Sequence, residues 1–243
     1  EKVIVTFDYH PNKKCITNEN EKIKLLKNFN VDYIYIIRKN EKNLNLEKKE
    51  FIEFLERINV QKIICGNDFR FGKKASGGIK DLELNFNVNV IEFVKVNNEK
   101  VSSTYIRKLI EDSNLKEVEL ELGKKYEVTG KVIHGKKLGR KINFPTANIE
   151  TENQIPGIGV YYTKTIVDNK KYKSATNIGY KPTVNGKEVT IETHILDFSG
   201  DLYDKEITII FNEKIREEMK FNSIEELKLQ IENDTKKILS MIE

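Results

Sequence analysis

The sequence has few cysteines and no long apolar run, and both absences limit the kind of protein it can be. Cys15 and Cys65 lie far apart and match neither the spacing of a metal site nor that of a redox pair. No apolar run approaches the roughly 18 residues needed to cross a bilayer, and no signal peptide or lipidation motif is visible. We therefore expect a soluble globular protein of the reducing cytoplasm that makes no use of a membrane.

The chain also lacks an excess of charge of one sign. Its 42 basic and 38 acidic residues leave a formal net charge of +4, spread along the whole sequence. The concentrated basic surface that nucleic-acid binding requires is missing, whereas a slightly positive protein suits small anionic ligands. We expect small-molecule substrates and no nucleic acid.

The pattern of apolar residues changes near residue 124. Before it, strand-like runs alternate with helical patterns, which is typical of a parallel sheet built from βαβ units, and two helices over 103–112 and 115–122 end at Gly123. After it, strand-like runs separated by turn-forming residues favour a small antiparallel barrel, and residues 223–243 predict a final helix. We therefore expect two domains, an α/β parallel-sheet domain over 1–124 and a β-barrel domain with a C-terminal helix over 125–243.

One segment of the second domain, GRKINFPTANIE at 139–150, combines cations with neutral oxygen donors. Thr146 and Asn148 are two residues apart, so in an extended segment both side chains face one side and could reach Mg²⁺ or its phosphates. Pro145 fixes the backbone before them. Just upstream, glycines that allow an unusual backbone conformation and further cationic side chains could approach phosphates. These residues are Gly135, Gly139, Arg140 and Lys141. An ordinary basic surface turn explains the segment equally well.

Phosphate transfer also needs a group that deprotonates the acceptor hydroxyl. The run TIETHI at 190–195 alternates as a strand, which puts Glu192 and His194 on the face opposite Ile191 and Ile195. Glu192 is then a candidate base and His194 an alternative one. A solvated glutamate and a structural histidine are the ordinary interpretations of the same residues.

A third segment, IREEMKF at 215–221, carries Arg216, Glu218 and Phe221 before the last helix. An arginine and an aromatic ring in a loop could hold a flat, polar heterocycle by hydrogen bonds and stacking. A surface ion pair and a core phenylalanine are the simpler alternatives.

Together these segments closely resemble bacterial riboflavin kinase, and the resemblance covers about 126–240. It rests, in order, on GKVIHGKKLGRKINFPTANI, PGIGVYY, NIGYKPTV, ETHILDFSGDLYDKEI and IREEMKFNSIEEL. It implies a six-stranded barrel, a Mg-ATP site served by Thr146 and Asn148, and Glu192 as the catalytic base. It also implies that Arg216, Glu218 and Phe221 belong to the flavin side of the site. The family usually has glycine at the position of Asn143, for which we expect a local backbone adjustment without loss of activity.

The first domain resembles the adenylyltransferase half of the bifunctional bacterial enzyme that makes FMN and FAD, a nucleotidyltransferase-like fold. The similar segments are VTFDYHP at 5–11, GNDFRFGKKASGG at 66–78 and VSSTYIRKLI at 101–110. All three follow strand-like runs, at the sheet edge where open α/β sheets bind ligands. The implied site residues are Phe7, His10, Pro11, Asn67, Asp68, Phe69, Phe71, Ser102, Ser103, Thr104 and Arg107.

The chemistry of these residues suits a nucleotide. Asn67 and Asp68 could bind its polar edges, Phe69 and Phe71 could frame a ring, and the hydroxyls at a helix start could receive phosphate together with Arg107. The plainer interpretations are a core position for Phe7, a helix cap for Ser103 and a solvated face for Arg107.

The resemblance also implies an opening strand and a His-x-Gly-His phosphate motif that should precede residue 1, and none of the three histidines can replace that motif. We therefore expect ATP-dependent phosphorylation of riboflavin to FMN, with adenylylation of FMN to FAD in the complete protein. A flavin-binding regulatory module without chemistry is the alternative, but it has no need of Glu192. An RNA-binding barrel is a further alternative, and it would need an aromatic strand face that the sequence does not show.

Overall fold

The computed structural model describes residues 1–8, 14–38, 40–135, 139, 142–183 and 186–241. The chain forms two compact units, of which the first comprises Glu1–Lys13 with Lys22–Val101 and the second Lys14–Glu21 with Ser102–Glu243. The main boundary between the two units thus lies between residues 101 and 102, whereas the pattern of apolar residues in the sequence changes near residue 124. The two helices that precede Gly123 lie in the second unit.

The first unit is built on parallel strands with helices between them, as the alternating pattern predicts. Strand β1 pairs with β2 and β3 pairs with β6, both in parallel. Within the described residues, these pairs form separate two-stranded sheets. The elements up to residue 101 are β1 (Val3–Phe7), α1 (Glu19–Lys27), β2 (Tyr33–Ile37), α2 (Glu41–Leu44), α3 (Lys48–Arg57), β3 (Lys62–Gly66), β4 (Arg70–Phe71), a 3₁₀ turn (Lys73–Ala75), β5 (Gly77–Gly78), α4 (Ile79–Glu83), β6 (Asn87–Ile91), β7 (Lys95–Val96) and β8 (Glu99–Lys100).

The second unit is a closed six-stranded barrel in the order β10-β13-β12-β11-β14-β9, which confirms the predicted architecture. All of its neighbouring strands pair antiparallel. The elements are α5 (Ser103–Glu111), α6 (Leu115–Leu122), β9 (Glu127–Ile133), β10 (Ala147–Glu150), β11 (Gly159–Val167), β12 (Lys170–Thr183), β13 (Gly186–Ile195), β14 (Glu206–Arg216) and α7 (Ile224–Ser240).

A hydroxyl network lies inside the barrel beside its apolar core. Thr163, Thr165, Ser174, Thr176 and Thr193 are all fully buried. The Thr163 Oγ1 lies 2.7 Å from the hydroxyls of both Ser174 and Thr176, and Thr176 donates to the Thr193 Oγ1 at 2.9 Å. Because each buried hydroxyl finds a partner, the network avoids the cost of unsatisfied polar groups. These hydroxyl side chains point into the barrel, so the residues that alternate with them along each strand point outward.

The C-terminal helix α7 covers part of that outer surface. Ile238 packs with Tyr162 and Leu196 in an apolar cluster. At the start of the helix, the Ser223 Oγ accepts a hydrogen bond from the Glu226 backbone N–H at 3.1 Å, so Ser223 caps the predicted helix. None of the helices in the described part of the chain is long and apolar enough to cross a membrane.

Residues 14–21 are held against the loop that follows β10. The Gln154 N–H donates to the Cys15 carbonyl at 2.7 Å, and the fully buried Asn153 amide donates to the Glu21 Oε2, also at 2.7 Å. Both cysteines of the chain are free thiols. This segment interrupts the first unit in sequence but belongs to the second in space.

Candidate active site on the barrel

Three neighbouring strands bring a row of polar side chains to the outer face of the barrel. Glu192 on β13 lies directly opposite Asn148 on β10, and on its other side directly opposite Asn177 on β12. Directly opposed residues of an antiparallel pair share a face and have Cβ atoms about 4.5–5.5 Å apart. The carboxylate of Glu192 is therefore flanked by two amides, and all three side chains are half-buried.

The proline-containing segment before β10 meets the same row. The Thr146 hydroxyl donates to the Glu192 Oε2 at 3.4 Å. The Nδ1 atom of His194 lies 2.8 Å from the Pro145 carbonyl oxygen. The centroid of the His194 ring lies 5.3 Å from that of the Phe144 ring, in an edge-on contact. Because a carbonyl oxygen only accepts, Nδ1 carries the proton, which orients this ring. The structure thus brings together Thr146, Asn148 and Glu192, as the sequence predicts.

The glycine loop also lies against this segment. A Cβ added at Gly135 would lie 2.7 Å from the Cγ of Asn148, so only glycine lets the two approach so closely. The Gly139 carbonyl accepts from the Phe144 N–H at 2.8 Å. Asn143 has a φ of 64°, a region that glycine favours and asparagine tolerates. Asparagine therefore suits this position where the family usually has glycine. The predicted cations Arg140 and Lys141 lie outside the described residues.

The end of β14 and the segment after it hold the three residues predicted on the flavin side, but their environments differ. Two nitrogen atoms of Arg216 contact the Asp234 Oδ2 on helix α7: Nε lies 2.9 Å and Nη2 lies 2.8 Å from it. The third nitrogen, Nη1, donates to the Glu217 carbonyl at 3.0 Å. Glu218 is exposed, with its Oε1 beside the Cα of Gly179, and Phe221 is half-buried. Arg216 therefore anchors the segment to α7 by contacts within the protein.

The first unit contains five of the described residues predicted for adenylyl transfer, and some of them make internal contacts. Asn67 Nδ2 donates to the Glu92 carboxylate at 3.3 Å. The hydrogen bond from Lys100 to Asp68, 2.9 Å long, holds the pKa of the Asp68 carboxyl below its usual value.

The aromatic residues of this predicted site differ in burial. Phe7 is 53% exposed, so the simpler interpretation of it as a core residue is wrong. Phe71 is buried in a cluster with Leu55 and Leu82, and the half-buried Phe69 stacks on it with ring centroids 5.9 Å apart. Phe71 thus packs in the core of the unit. His10 and Pro11 lie outside the described residues.

The other predicted residues of that site, at the start of α5, lie in the second unit. Ser102 caps the helix by accepting from the Tyr105 N–H at 3.3 Å, so the cap is Ser102, and Ser103 and Thr104 follow it in the first turn. Arg107 is buried, and it donates to the carbonyls of Lys14 and Ser103 at 3.0 and 3.1 Å. Its interpretation as a solvated residue is wrong.

Sequence analysis missed two residues of the barrel site. Asn177 lies in the NIGYKPTV segment, and only the pairing of β12 with β13 shows that it flanks Glu192. In the sequence, Asp234 does not differ from the other polar residues of α7. Only the packing of that helix shows that it pairs with Arg216. Strand alternation identified the face of Glu192, but no local pattern gives a partner on another strand.

The oxygen atoms of this row suit a hard cation such as Mg²⁺. Thr146, Asn148 and Glu192 offer a hydroxyl, an amide oxygen and a carboxylate, and magnesium prefers oxygen ligands shared with phosphates and water. No cluster of three or more histidine, cysteine, aspartate or glutamate side chains that could cage a metal occurs among the described residues. The donor set therefore fits an ion that arrives with a nucleotide.

The chain is similar to known proteins over both of its domains. The model of the riboflavin kinase family matches residues 122–242, and that of the FAD synthetase family matches residues 1–105. The bifunctional riboflavin kinase/FMN adenylyltransferase of Bacillus subtilis is 35% identical, over 95% of this chain and 79% of that protein. The protein of the same name from Escherichia coli K12 is 34% identical, over 90% of this chain and 73% of that protein.

A solved structure has the same fold over nearly the whole chain. It is the crystal structure of a protein described as a macrolide-efflux protein from Streptococcus pneumoniae, which is 29% identical and superposes with a TM-score of 0.84. The match covers 99% of this chain and 84% of that one. Both family models and these relatives agree, so the chain belongs to the family of bifunctional riboflavin kinase/FMN adenylyltransferases.

Proposed function

We propose that this chain transfers the terminal phosphate of Mg-ATP to riboflavin on its barrel and adenylylates FMN to FAD on its first domain. The kinase is assigned to residues 125–243 and the adenylyltransferase to 1–124. Both reactions are assigned to the cytoplasm, where Cys15 and Cys65 would stay reduced. The observation that carries the kinase is the alignment of Asn148 with Glu192 across β10 and β13.

In the kinase reaction, Glu192 accepts the proton of the riboflavin hydroxyl as that oxygen attacks the terminal phosphorus of ATP, the bond from this phosphorus to the bridging oxygen breaks, and ADP leaves. Thr146 and Asn148 would hold Mg²⁺ with the nucleotide phosphates, and the ion supplies positive charge that stabilises the transferring phosphoryl group. Thr146 also donates to Glu192, which supports a base close to the proposed phosphate site. Phosphoryl transfer depends mainly on such positioning.

The flavin side of the site is assigned to Glu218 and Phe221, with Arg216 as their anchor. Glu218 is exposed beside Gly179, close to the row that contains Glu192. The bond from Arg216 to Asp234 fixes where this segment leaves β14. A polar carboxylate and an aromatic ring are suited to the hydrogen-bonding edge and the flat face of a flavin.

For FMN adenylylation, the assigned residues of the first domain bind nucleotide or flavin groups at the ends of its parallel strands. Phe7, Asn67 and Asp68 are exposed and accessible to such a ligand. Arg107 and the start of α5 are assigned to phosphate.

The test is to incubate the purified chain with riboflavin, ATP and Mg²⁺ and to separate FMN from FAD by chromatography. FMN that forms only when Mg²⁺ is present supports the kinase, and FAD made from added FMN and ATP supports the adenylyltransferase. Tight flavin binding without either product would instead identify a binding module.

A further inference from the structure

Asn177 has an unusual place beside the proposed base. It lies opposite Glu192 on the flank away from Asn148, and no hydrogen bond of its side chain is seen among the described residues. Its amide carries two N–H donors and can therefore serve two acceptors. One acceptor within reach across the strand pair is the carboxylate of Glu192.

A second carboxylate near the Asn177 amide is that of Glu218. A Cβ added at Gly179 would lie 3.1 Å from Asn177 Nδ2 and would overlap the Oε1 of Glu218. Both groups thus occupy the space that glycine leaves open at this position. Asn177 is thus paired across the strands with Glu192, and its amide shares the space at Gly179 with the Glu218 carboxylate.

We propose that Asn177 is a positioning residue that orients Glu192 toward the acceptor hydroxyl and links it to Glu218. The inference rests on the proposed kinase function. A neutral amide can orient a carboxylate without adding a positive charge that would hold it as a salt bridge, so Glu192 stays available to accept a proton. Two further titratable groups belong to this face: His194 lies two residues along β13, and Glu218 lies beside Gly179 on the paired strand.

The first test compares Asn177→Ala and Asn177→Asp with the wild type in steady-state FMN formation. Asn177→Ala is expected to lower kcat about tenfold, because the base is no longer held in the productive geometry, while KM for ATP changes less than about twofold. Asn177→Asp is expected to move the acid limb of the kcat–pH profile to higher pH, because a second carboxylate disfavours loss of the proton from Glu192.

The matched control is Asn169→Asp, which makes the same chemical change in the turn between β11 and β12. Asn169 has a φ of 64°, which aspartate tolerates as asparagine does, so its kcat and pH profile should equal those of the wild type. A purely structural role for Asn177 would lower thermal stability and leave the pH profile unchanged.

A double-mutant cycle tests whether Asn177 acts through Glu192. In the Glu192→Gln background, Asn177→Ala should lower the residual kcat by less than about twofold. The inference is overturned if Asn177→Ala lowers kcat as much in the Glu192→Gln background as in the wild type, or if Asn177→Asp leaves the pH profile unshifted. Neither result affects the proposed kinase function, as long as the wild type makes FMN. If Asn177→Ala does not fold, Asn177→Ser serves in the same cycle. A wild-type chain that makes no FMN overturns the proposed function and this inference together.

Discussion

Arg216 and Asp234 are joined by a bidentate ion pair between the end of β14 and helix α7. The Nε and Nη2 atoms of Arg216 lie 2.9 and 2.8 Å from the Asp234 Oδ2, and Gln230 donates to the Oδ1 of the same carboxylate at 2.8 Å. The aspartate side chain is 6% exposed and that of the arginine 18%. Each nitrogen of the guanidinium thus contacts an acceptor of the protein, so we expect Arg216 to serve the proposed flavin site by holding Glu218 and Phe221 in place.

This pairing predicts that Asp234→Asn destabilises the barrel. The substitution keeps the shape of the side chain but removes the charge that the buried guanidinium needs, so we expect the free energy of unfolding to fall by about 2 kcal/mol. We also expect KM for riboflavin to rise, because the segment after β14 loses its anchor. Denaturant unfolding and steady-state kinetics measure the two effects.

The control for this variant is Glu217→Gln. Glu217 pairs with Lys214 at 2.7 Å, but its side chain is 77% exposed, so its loss should change stability by less than about 0.5 kcal/mol. An Asp234→Asn protein as stable as the wild type, with unchanged KM for riboflavin, would show that the ion pair does not anchor the segment.

Much of the fold follows from local sequence patterns. The cap at Ser223 and Glu226 is present because a hydroxyl and a glutamate three residues apart satisfy free N–H groups at a helix start. Alternation over 190–195 placed Glu192 on the face opposite Ile191, since successive side chains of a regular strand point to opposite faces. These features depend on a few neighbouring residues, so the sequence alone predicts them.

Relations between distant segments could not be predicted in the same way. Asn177 flanks Glu192 only because β12 pairs with β13 in one particular register, which depends on the closed barrel. Residues 14–21 belong to the second unit because the buried Asn153 binds Glu21 across a long stretch of chain. Neither Asn153 nor Asn177 differs locally from an asparagine in an ordinary turn.

The assignment of Glu192 as the base predicts that Glu192→Gln lowers kcat for FMN formation by on the order of 10² or more. Riboflavin affinity, measured by fluorescence titration, should be largely kept because the amide has nearly the same size. Glu188→Gln is the matched control, since Glu188 is an exposed glutamate on the same strand and face. Near wild-type turnover by Glu192→Gln would remove it from the role and make His194 the candidate.

The assignment of the cation site predicts that Thr146→Ala and Asn148→Ala weaken productive binding of Mg-ATP, because each removes one oxygen ligand. Raising the Mg²⁺ concentration should partly restore activity. Gly135→Ala should act like Asn148→Ala, since its Cβ would displace the Asn148 amide. Thr146→Ser retains the hydroxyl and should keep most of the nucleotide affinity. If the alanine variants lose riboflavin affinity but titrate normally with nucleotide, these residues do not form the cation site.

The buried phenol of Tyr161 predicts a stability change at alkaline pH. Its hydroxyl contacts the Ser113 Oγ at 2.7 Å and donates to the Gly157 carbonyl, and burial raises its pKa to about 12. An unfolded tyrosine loses its proton near pH 10, so between about pH 10 and 12 the folded state holds a proton that the unfolded state has lost. The contribution of this group to stability is therefore full below pH 10 and is lost as the pH rises through 12.

Tyr161→Phe tests this prediction. At pH 7 it should cost about 1–2 kcal/mol, because the phenol's hydrogen bonds are lost and their partners stay buried. Between pH 10 and 12 the wild type should lose more stability than the variant, so the difference between them should narrow. Denaturant unfolding of both proteins at pH 7 and pH 11 gives this difference directly, and other titrating groups, including the buried Tyr126, cancel because both proteins contain them. A difference that stays constant over this range would show that Tyr161 ionises alike in the folded and unfolded chains.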